Sequence, residues 1–253
     1  MSMQLKAKVA VITGASQGAG RGCALAYARE GACLVLMGRT RETLLELQAE
    51  VEGIGSECLV LVADVGSLDD IERSIRQTIT TFGRIDILVN AAQAPSMRAA
   101  NLLDIDRQTM DLLWQTGPVA SLEMMRACYP YLKKEGGSII NFGSGAQFVP
   151  GGYGVYAAAK SAINMITRAA AVEWGGDGIR ANLVVPMVHS QANEEAMAAE
   201  PGLEQMLIDT IPLGRIGDPE MDIGRALVFL GSDESQYVTG TTLMLDGGQQ
   251  FLH

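Results

Sequence analysis

The sequence predicts an α/β protein: a doubly wound parallel sheet of seven strands with helices on both faces. Three observations carry that prediction. Short runs rich in Val, Ile and Leu recur along the 253 residues, and stretches with helical periodicity separate them. Hydrophobic residues make up 48% of the chain and charged ones only 19%, the balance expected of strands covered on both faces. No Pro/Gly/Ser-rich linker or shift in composition divides the sequence, so residues 1–253 read as a single domain.

The first apolar run, 9–13, leads into Thr13-Gly14-Ala15-Ser16-Gln17-Gly18-Ala19-Gly20 and a helix over 20–30 that stops at Gly31. A glycine run between strand and helix is the setting in which a dinucleotide pyrophosphate is held. Gly14 permits the sharp turn, Gly18 keeps a Cβ out of the phosphates' path, and Gly20 lets the helix N-terminus aim its unpaired N–H groups at the anion. A second strand, 33–37, feeds a helix over 40–52 that stops at Gly53. The third, 59–63, is followed by a helix over 67–82 ending at Gly83, and Ser67-Leu-Asp-Asp70 reads as its capping box. Runs at 85–90, 138–142, 181–185 and 242–245 complete the strands, and the alternation implies right-handed βαβ units. Residues 187–211 break the rhythm: they carry no strand pattern, are rich in Met, Ala and Glu, and follow the carboxyl end of a strand, where ligands bind in open sheets. They read as a substrate lid or as a surface helical hairpin.

Downstream stand Ser144 and Tyr156-Ala-Ala-Ala-Lys160. Residues four apart share a helix face, so Lys160 is expected beside Tyr156. A phenol with a pKa of about 10 needs roughly 4 kcal/mol of phenolate stabilisation to act near neutrality. An ammonium about 4 Å away, at an effective dielectric near 20, supplies that order of energy. A serine, a tyrosine and a lysine so arranged polarise a carbonyl and move a proton beside it, and with the glycine run they point to hydride chemistry on a nicotinamide cofactor. The bland alternative is a tyrosine packed between helix and sheet with the lysine snorkelling to solvent. Tyr153 has no lysine partner, since Ala157 follows four residues on, and is placed in the pocket wall.

A net charge of −10 argues against nucleic acid or an anionic membrane as partner. Cys23, Cys33, Cys58 and Cys128 are scattered without metal-ligand spacing, so no metal is expected and the cysteines read as buried thiols of a reducing compartment. With no signal-peptide pattern at the start and no transmembrane-length apolar run, a cytoplasmic location is expected.

Taken together, the glycine spacing at 13–20, Asp64-Val65, Asn90, Tyr156-x-x-x-Lys160, Arg180-Ala-Asn182 before Pro186, and the closing Gly240-x-x-Leu243-x-Leu245-Asp246-Gly247-Gly248 resemble the short-chain dehydrogenase/reductase family over essentially the whole chain. The resemblance implies a Rossmann-like domain with an added seventh strand, NAD or NADP, and oxidation or reduction at an alcohol or carbonyl carbon. It implies cofactor contacts from Gly14, Ser16, Gln17, Gly18, Ala19 and Gly20, from Asp64 (to the adenine), Val65, Asn90, Ala91 and Ala92, and from Tyr156, Lys160, Pro186 and Val188. Ser144 would orient the substrate oxygen beside Tyr156. A homotetramer or homodimer is also implied, built on helices around 117–134 and 156–174, where Ala157, Ala158, Ala159, Ala169, Ala170 and Ala171 make a small-residue surface.

Cofactor choice is expected at the end of the second strand, where an acidic residue would hold the ribose diol of NAD. Gly38 stands there, followed by Arg39, whose guanidinium can bind a 2′-phosphate, so NADP(H) is favoured over NAD(H). The alternative is a solvated Arg39 that enters the next helix, with or without Glu42 as a partner. Gln17 stands where many NADP-preferring relatives carry a second basic residue.

The pattern is broken in one neighbourhood. Gly117, followed by Pro118, replaces the asparagine that completes the family's proton relay; Gln93 and Met187 stand where glycines are usual, and Ser190 or Gln191 where a threonine often is. The Gly-Pro pair is expected to keep a helix kink that frees a carbonyl. Such clustering fits a reshaped pocket walled by Gln93, Ala94, Ala146, Gln147, Tyr153, Met187, Val188, Met197 and Met206, suited to a bulky apolar ketone or alcohol. It also fits a nucleotide-binding protein of the same fold with lost or altered catalysis. His189 and His253 are lone and are assigned no catalytic role.

Overall fold

In the computed structural model, which describes residues 3–94, 101–149, 151–189, 197 and 202–251, the expected strands join in one parallel sheet. They are β1 (Val9–Thr13), β2 (Cys33–Gly38), β3 (Cys58–Val62), β4 (Ile87–Asn90), β5 (Gly137–Phe142), β6 (Ile179–Pro186) and β7 (Thr242–Leu245), in the spatial order β3-β2-β1-β4-β5-β6-β7. Every pairing is parallel, so each connection crosses over and the helices cover both faces. The helices are α1 (Gly18–Arg29), α2 (Arg41–Ile54), α3 (Leu68–Phe82), α4 (Arg107–Trp114), α5 (Ala120–Leu132), α6 (Gly154–Trp174), α7 (Leu203–Asp209) and α8 (Arg225–Gly231). Strand side chains alternate between two cores. Ala10, Ile12, Leu34, Leu36, Ile87 and Val89 pack with α1, α2 and α8, while Val9, Val11, Val35, Met37, Leu88 and Ile139 pack with α3, α5 and α6. Among the described residues no helix is long and apolar enough to cross a membrane.

Element ends differ from the sequence expectation for local reasons. Residues 85 and 86 are the approach to β4 rather than part of it: the buried Asp86 carboxylate accepts from the Val9 N–H at 2.8 Å and is gripped by Arg84. Helix α1 opens at Gly18, two residues early. Helix α2 runs through Gly53 and is capped by Gly55, whose φ of 98° lies in the left-handed region. At α3 the Ser67 hydroxyl accepts from the Asp70 N–H, but the Asp70 carboxylate turns to the Asp64 N–H and Arg73, so the capping box is half built.

Among the described residues, π turns lead into two of the helices. Between α4 and α5 the chain forms a single π turn, Gln115–Val119, with Pro118 inside it, so the expected kink at Gly117-Pro118 is a π-bulge. A second π turn, Pro219–Gly224, leads into α8 and crosses α1 so closely that a Cβ on Gly22 would stand 2.1 Å from the Pro219 carbonyl carbon. Beside that crossing, the Tyr27 hydroxyl donates to the Leu227 carbonyl at 2.9 Å.

Candidate active site

The carboxyl ends of β1, β4, β5 and β6 form one edge, and the predicted site residues gather there. Gly14 turns the chain with a φ of 65°, and a Cβ on it would stand 2.8 Å from the Ala92 Cα. The glycine turn is thus pressed on the residues that leave β4, and Thr13 Oγ1 fastens it there by accepting the N–H groups of Ala91 and Ala92 at 3.2 Å each. A Cβ on Gly20 would stand 2.3 Å from the Gly14 carbonyl oxygen, so Gly20 serves chiefly to seat α1 on the turn. The extended Gln17 precedes α1 without a side-chain cap, which leaves first-turn N–H groups for an anion. Ser16 and Ala19 are half-buried along this loop. Beside it lies a cleft of about 490 Å³ lined by Gln17, Gly18, Arg21, His189, Asp218 and Met221. Bare α-carbons and uncapped N–H groups at the mouth of such a cleft fit a dinucleotide pyrophosphate.

Farther along the edge, Gly38 closes β2 and Arg39 follows it, exposed and without an ion pair to Glu42 or to any other described residue. Asp64 Oδ1 accepts from the Gly66 N–H at 2.8 Å, which fixes the turn after β3, and Val65 sits half-buried in that turn. Asn90 is buried, and its amide donates to Asn141 Oδ1 at 2.9 Å; Asn141 in turn donates to Thr167 at 2.8 Å. The Asn90 side chain therefore ties β4 to β5 and α6.

Ser144 leaves β5 and its hydroxyl accepts from the Ala146 N–H at 3.3 Å, within hydrogen-bonding reach of Tyr156 at the start of α6. One turn on, Lys160 is 5% exposed and donates to the Phe142 carbonyl at 2.9 Å. Its ammonium lies 5.7 Å over the Tyr156 ring centroid, on the face of the ring. The expected lowering of the phenol is not found in this structure. Burial raises Tyr156 above the ordinary phenol value, with the Ser144 hydrogen bond opposing, and burial pushes the Lys160 amine down to about 7. The lysine approaches the π-face and is held by a backbone carbonyl, and a desolvated amine carries less charge with which to stabilise a phenolate.

Of the predicted pocket walls, Gln93, Ala94, Ala146 and Gln147 stand at this edge: the Ala94 N–H donates to Thr116, and the Gln147 amide to the Ser144 carbonyl. Tyr153 precedes α6 and is exposed. Pro186 ends β6, the Met187 N–H donates to the Leu245 carbonyl, and Val188 bridges to Gly217. Met197 is half-buried, while Met206 on α7 is 64% exposed. Ser190, Gln191 and His253 lie outside the described residues, as does much of the expected lid.

The sequence reading missed Gln250. The Asp246 carboxylate accepts the N–H groups of Gly248 and Gln250 and turns the chain back, so that a Cβ on Gly145 would stand 2.7 Å from Gln250 Nε2. The Asp-Gly-Gly sequence signalled that turn, but not what it would meet. The alanine surface is also corrected: Ala157, Ala159, Ala170 and Ala171 are buried, and the exposed stripe of α6 is Ala158, Ser161, Met165, Ala169 and Val172.

Residues 14–250 match the family described as enoyl-(acyl carrier protein) reductase. The chain belongs to the short-chain dehydrogenase/reductase family. Among short-chain dehydrogenases/reductases it is 42% identical to the 12α-hydroxysteroid dehydrogenase of a Clostridium species, covering 95% of this chain and 96% of that protein. It is 35% identical to oxidoreductase UcpA of Salmonella typhimurium, covering 97% and 95%. A solved 7α-hydroxysteroid dehydrogenase, complexed with NADH and 7-oxo glycochenodeoxycholic acid, matches with a TM-score of 0.91 at 25% identity, over 99% of this chain and 98% of that one. This short-chain dehydrogenase/reductase is accordingly an NAD(P)-dependent oxidoreductase acting between alcohol and carbonyl.

Proposed function

We propose that the protein interconverts a hydroxyl and a keto group on a bulky, apolar, polycyclic substrate of the hydroxysteroid class, with NADP(H) favoured and Tyr156 as proton donor and acceptor. The observation that carries this reading is the convergence of Ser144, Tyr156 and Lys160 at the sheet edge next to the glycine turn. The substrate class is supported by its similarity to a 12α- and a 7α-hydroxysteroid dehydrogenase.

A bound nicotinamide supplies or accepts the hydride. Ser144 fixes the substrate oxygen by hydrogen bonding, so that Tyr156 can pass its phenolic proton to that oxygen as the carbon is reduced, and take it back in oxidation. The raised phenol keeps Tyr156 protonated at neutral pH, the state required of an acid in reduction. Lys160 sits on the same helix face to balance the phenolate that forms. The same chain, acting as a single cofactor-binding domain, would hold the 2′-phosphate with Arg39, which is exposed and unpaired among the described residues.

Reduction of a 12-keto bile acid should be followed with NADPH and with NADH. Tyr156→Phe should lose turnover by about a hundredfold or more while retaining cofactor binding; a variant that keeps near wild-type turnover removes Tyr156 from the mechanism. Arg39→Ala should raise the NADPH KM by about tenfold and leave the NADH value unchanged. Equal effects on both cofactors would sink the phosphate assignment.

A further inference from the structure

Gln93 presents an unmet requirement. Both polar atoms of its side-chain amide, Nε2 and Oε1, are buried and have no hydrogen-bond partner among the described residues. The amide lies on the bare α-carbon of Gly117: a Cβ there would stand 3.1 Å from Nε2 and 3.4 Å from Cδ. Gly117 is itself buried at the centre of the π turn, where Pro118 contributes no N–H, and that turn packs against α6. A buried amide left unpaired is destabilising, so an amide kept there calls for a partner.

The matching requirement is at Lys160. Its ammonium has three N–H donors, is buried, and among the described residues gives one of them to the Phe142 carbonyl. Phe142 follows Asn141, which pairs in register with Asn90, and Gln93 is three residues past Asn90, so Gln93 and Lys160 converge on the ends of neighbouring strands. A buried water needs two to four polar partners. An unpaired amide and an ammonium with N–H donors to spare are groups of that kind.

We propose that Gln93 is a positioning residue of the active site, holding against the π turn a water that joins its amide to the Lys160 ammonium, and that the missing side chain at Gly117 is what admits it. The proposal rests on the reading of Tyr156 and Lys160 as the proton-handling pair. In this role Gln93, a pocket-wall residue, acts through Lys160: it fixes the water, and the water sustains the charge on Lys160. Burial is what depresses that amine, and Tyr156, whose ring lies beneath it, is its titratable neighbour.

The chain has five lysines, so the Lys160 resonance of protein labelled with ¹³C at the lysine ε-carbon can be assigned by its loss in Lys160→Met and titrated without substrate. Gln93→Met keeps the length of the side chain and removes the amide. The Lys160 pKa is expected to fall by about half a pH unit or more, because the charged form loses its acceptor. In turnover of a 12-keto bile acid, kcat should fall about tenfold with KM within twofold. The exchange Gln93→Gly with Gly117→Asn, which returns an amide from the opposite side, should restore the titration. An unmoved Lys160 titration in Gln93→Met overturns the proposal and makes Gln93 a space filler. If Gln93→Met does not fold, an exchange variant whose Lys160 titration differs from wild type overturns it equally. Full activity of Tyr156→Phe would instead defeat the underlying catalytic reading, whatever Lys160 does.

Discussion

Lys160 sits where a charge is costly and an apolar side chain of similar length is not. Its amine is held at about 7 in the folded chain against about 10.4 when free, so between those values the unfolded chain binds more protons. The stability this site contributes is therefore full above about pH 10 and lost as pH falls toward 7. Lys160→Met should accordingly melt higher at pH 6 by about 2–6 °C, despite losing the bond to Phe142, and the gain should fade toward pH 10. A calorimetric series across that range, showing no rise at pH 6, would place the ammonium in better-solvated surroundings than its burial indicates. At this scale the sequence exposed what depends on short spacings: the glycine turn, Ser144, and the four-residue step from Tyr156 to Lys160. It could not show that Lys160 turns to the Phe142 carbonyl, or that Gln250 comes to rest on Gly145, because both contacts are made by the assembled sheet edge.

Among the elements, the strands were the most legible, since a strand buried on both faces is a continuous apolar run. Their ends and the helix caps were less so, because side-chain partners choose among glycines and carboxylates that are equivalent by sequence. Asp70 illustrates this: placed correctly for a reciprocal capping box, it serves Asp64 and Arg73 instead. Half a box still caps. Ser67→Ala should therefore destabilise the protein by about 1 kcal/mol, read as a lowered midpoint in urea with an unchanged slope. Asp70→Ala should cost more than the cap alone, because it also frees the Asp64 N–H that holds the turn after β3. The α6 alanines were misread because small residues suit both the sheet-facing side of a helix and a helix–helix contact, and composition does not say which.

At the scale of the molecule, the exposed stripe on α6 has Met165 at 62% and Val172 at 84% exposure, and α4 with the following π turn exposes Leu112, Trp114 and Val119. Apolar side chains so grouped favour a second copy as cover, in keeping with the homodimer or homotetramer that the family resemblance implies. Sedimentation should give a multiple of 26.9 kDa, and Met165→Asp with Val172→Asp should shift it to a single chain with the cofactor still bound. A wild-type mass of one chain would remove the oligomer from the account. The crossing of α1 by the second π turn has a different consequence, one for synthesis. Tyr27 finds its hydrogen-bond partner 200 residues later, at Leu227, and Gly22 meets Pro219 at a similar remove. Contacts so distant along the chain form late and slowly. While the ribosome is still making β6, the first helix already exists with its far wall missing, and the nascent chain must carry that open apolar face until residues 219–227 emerge.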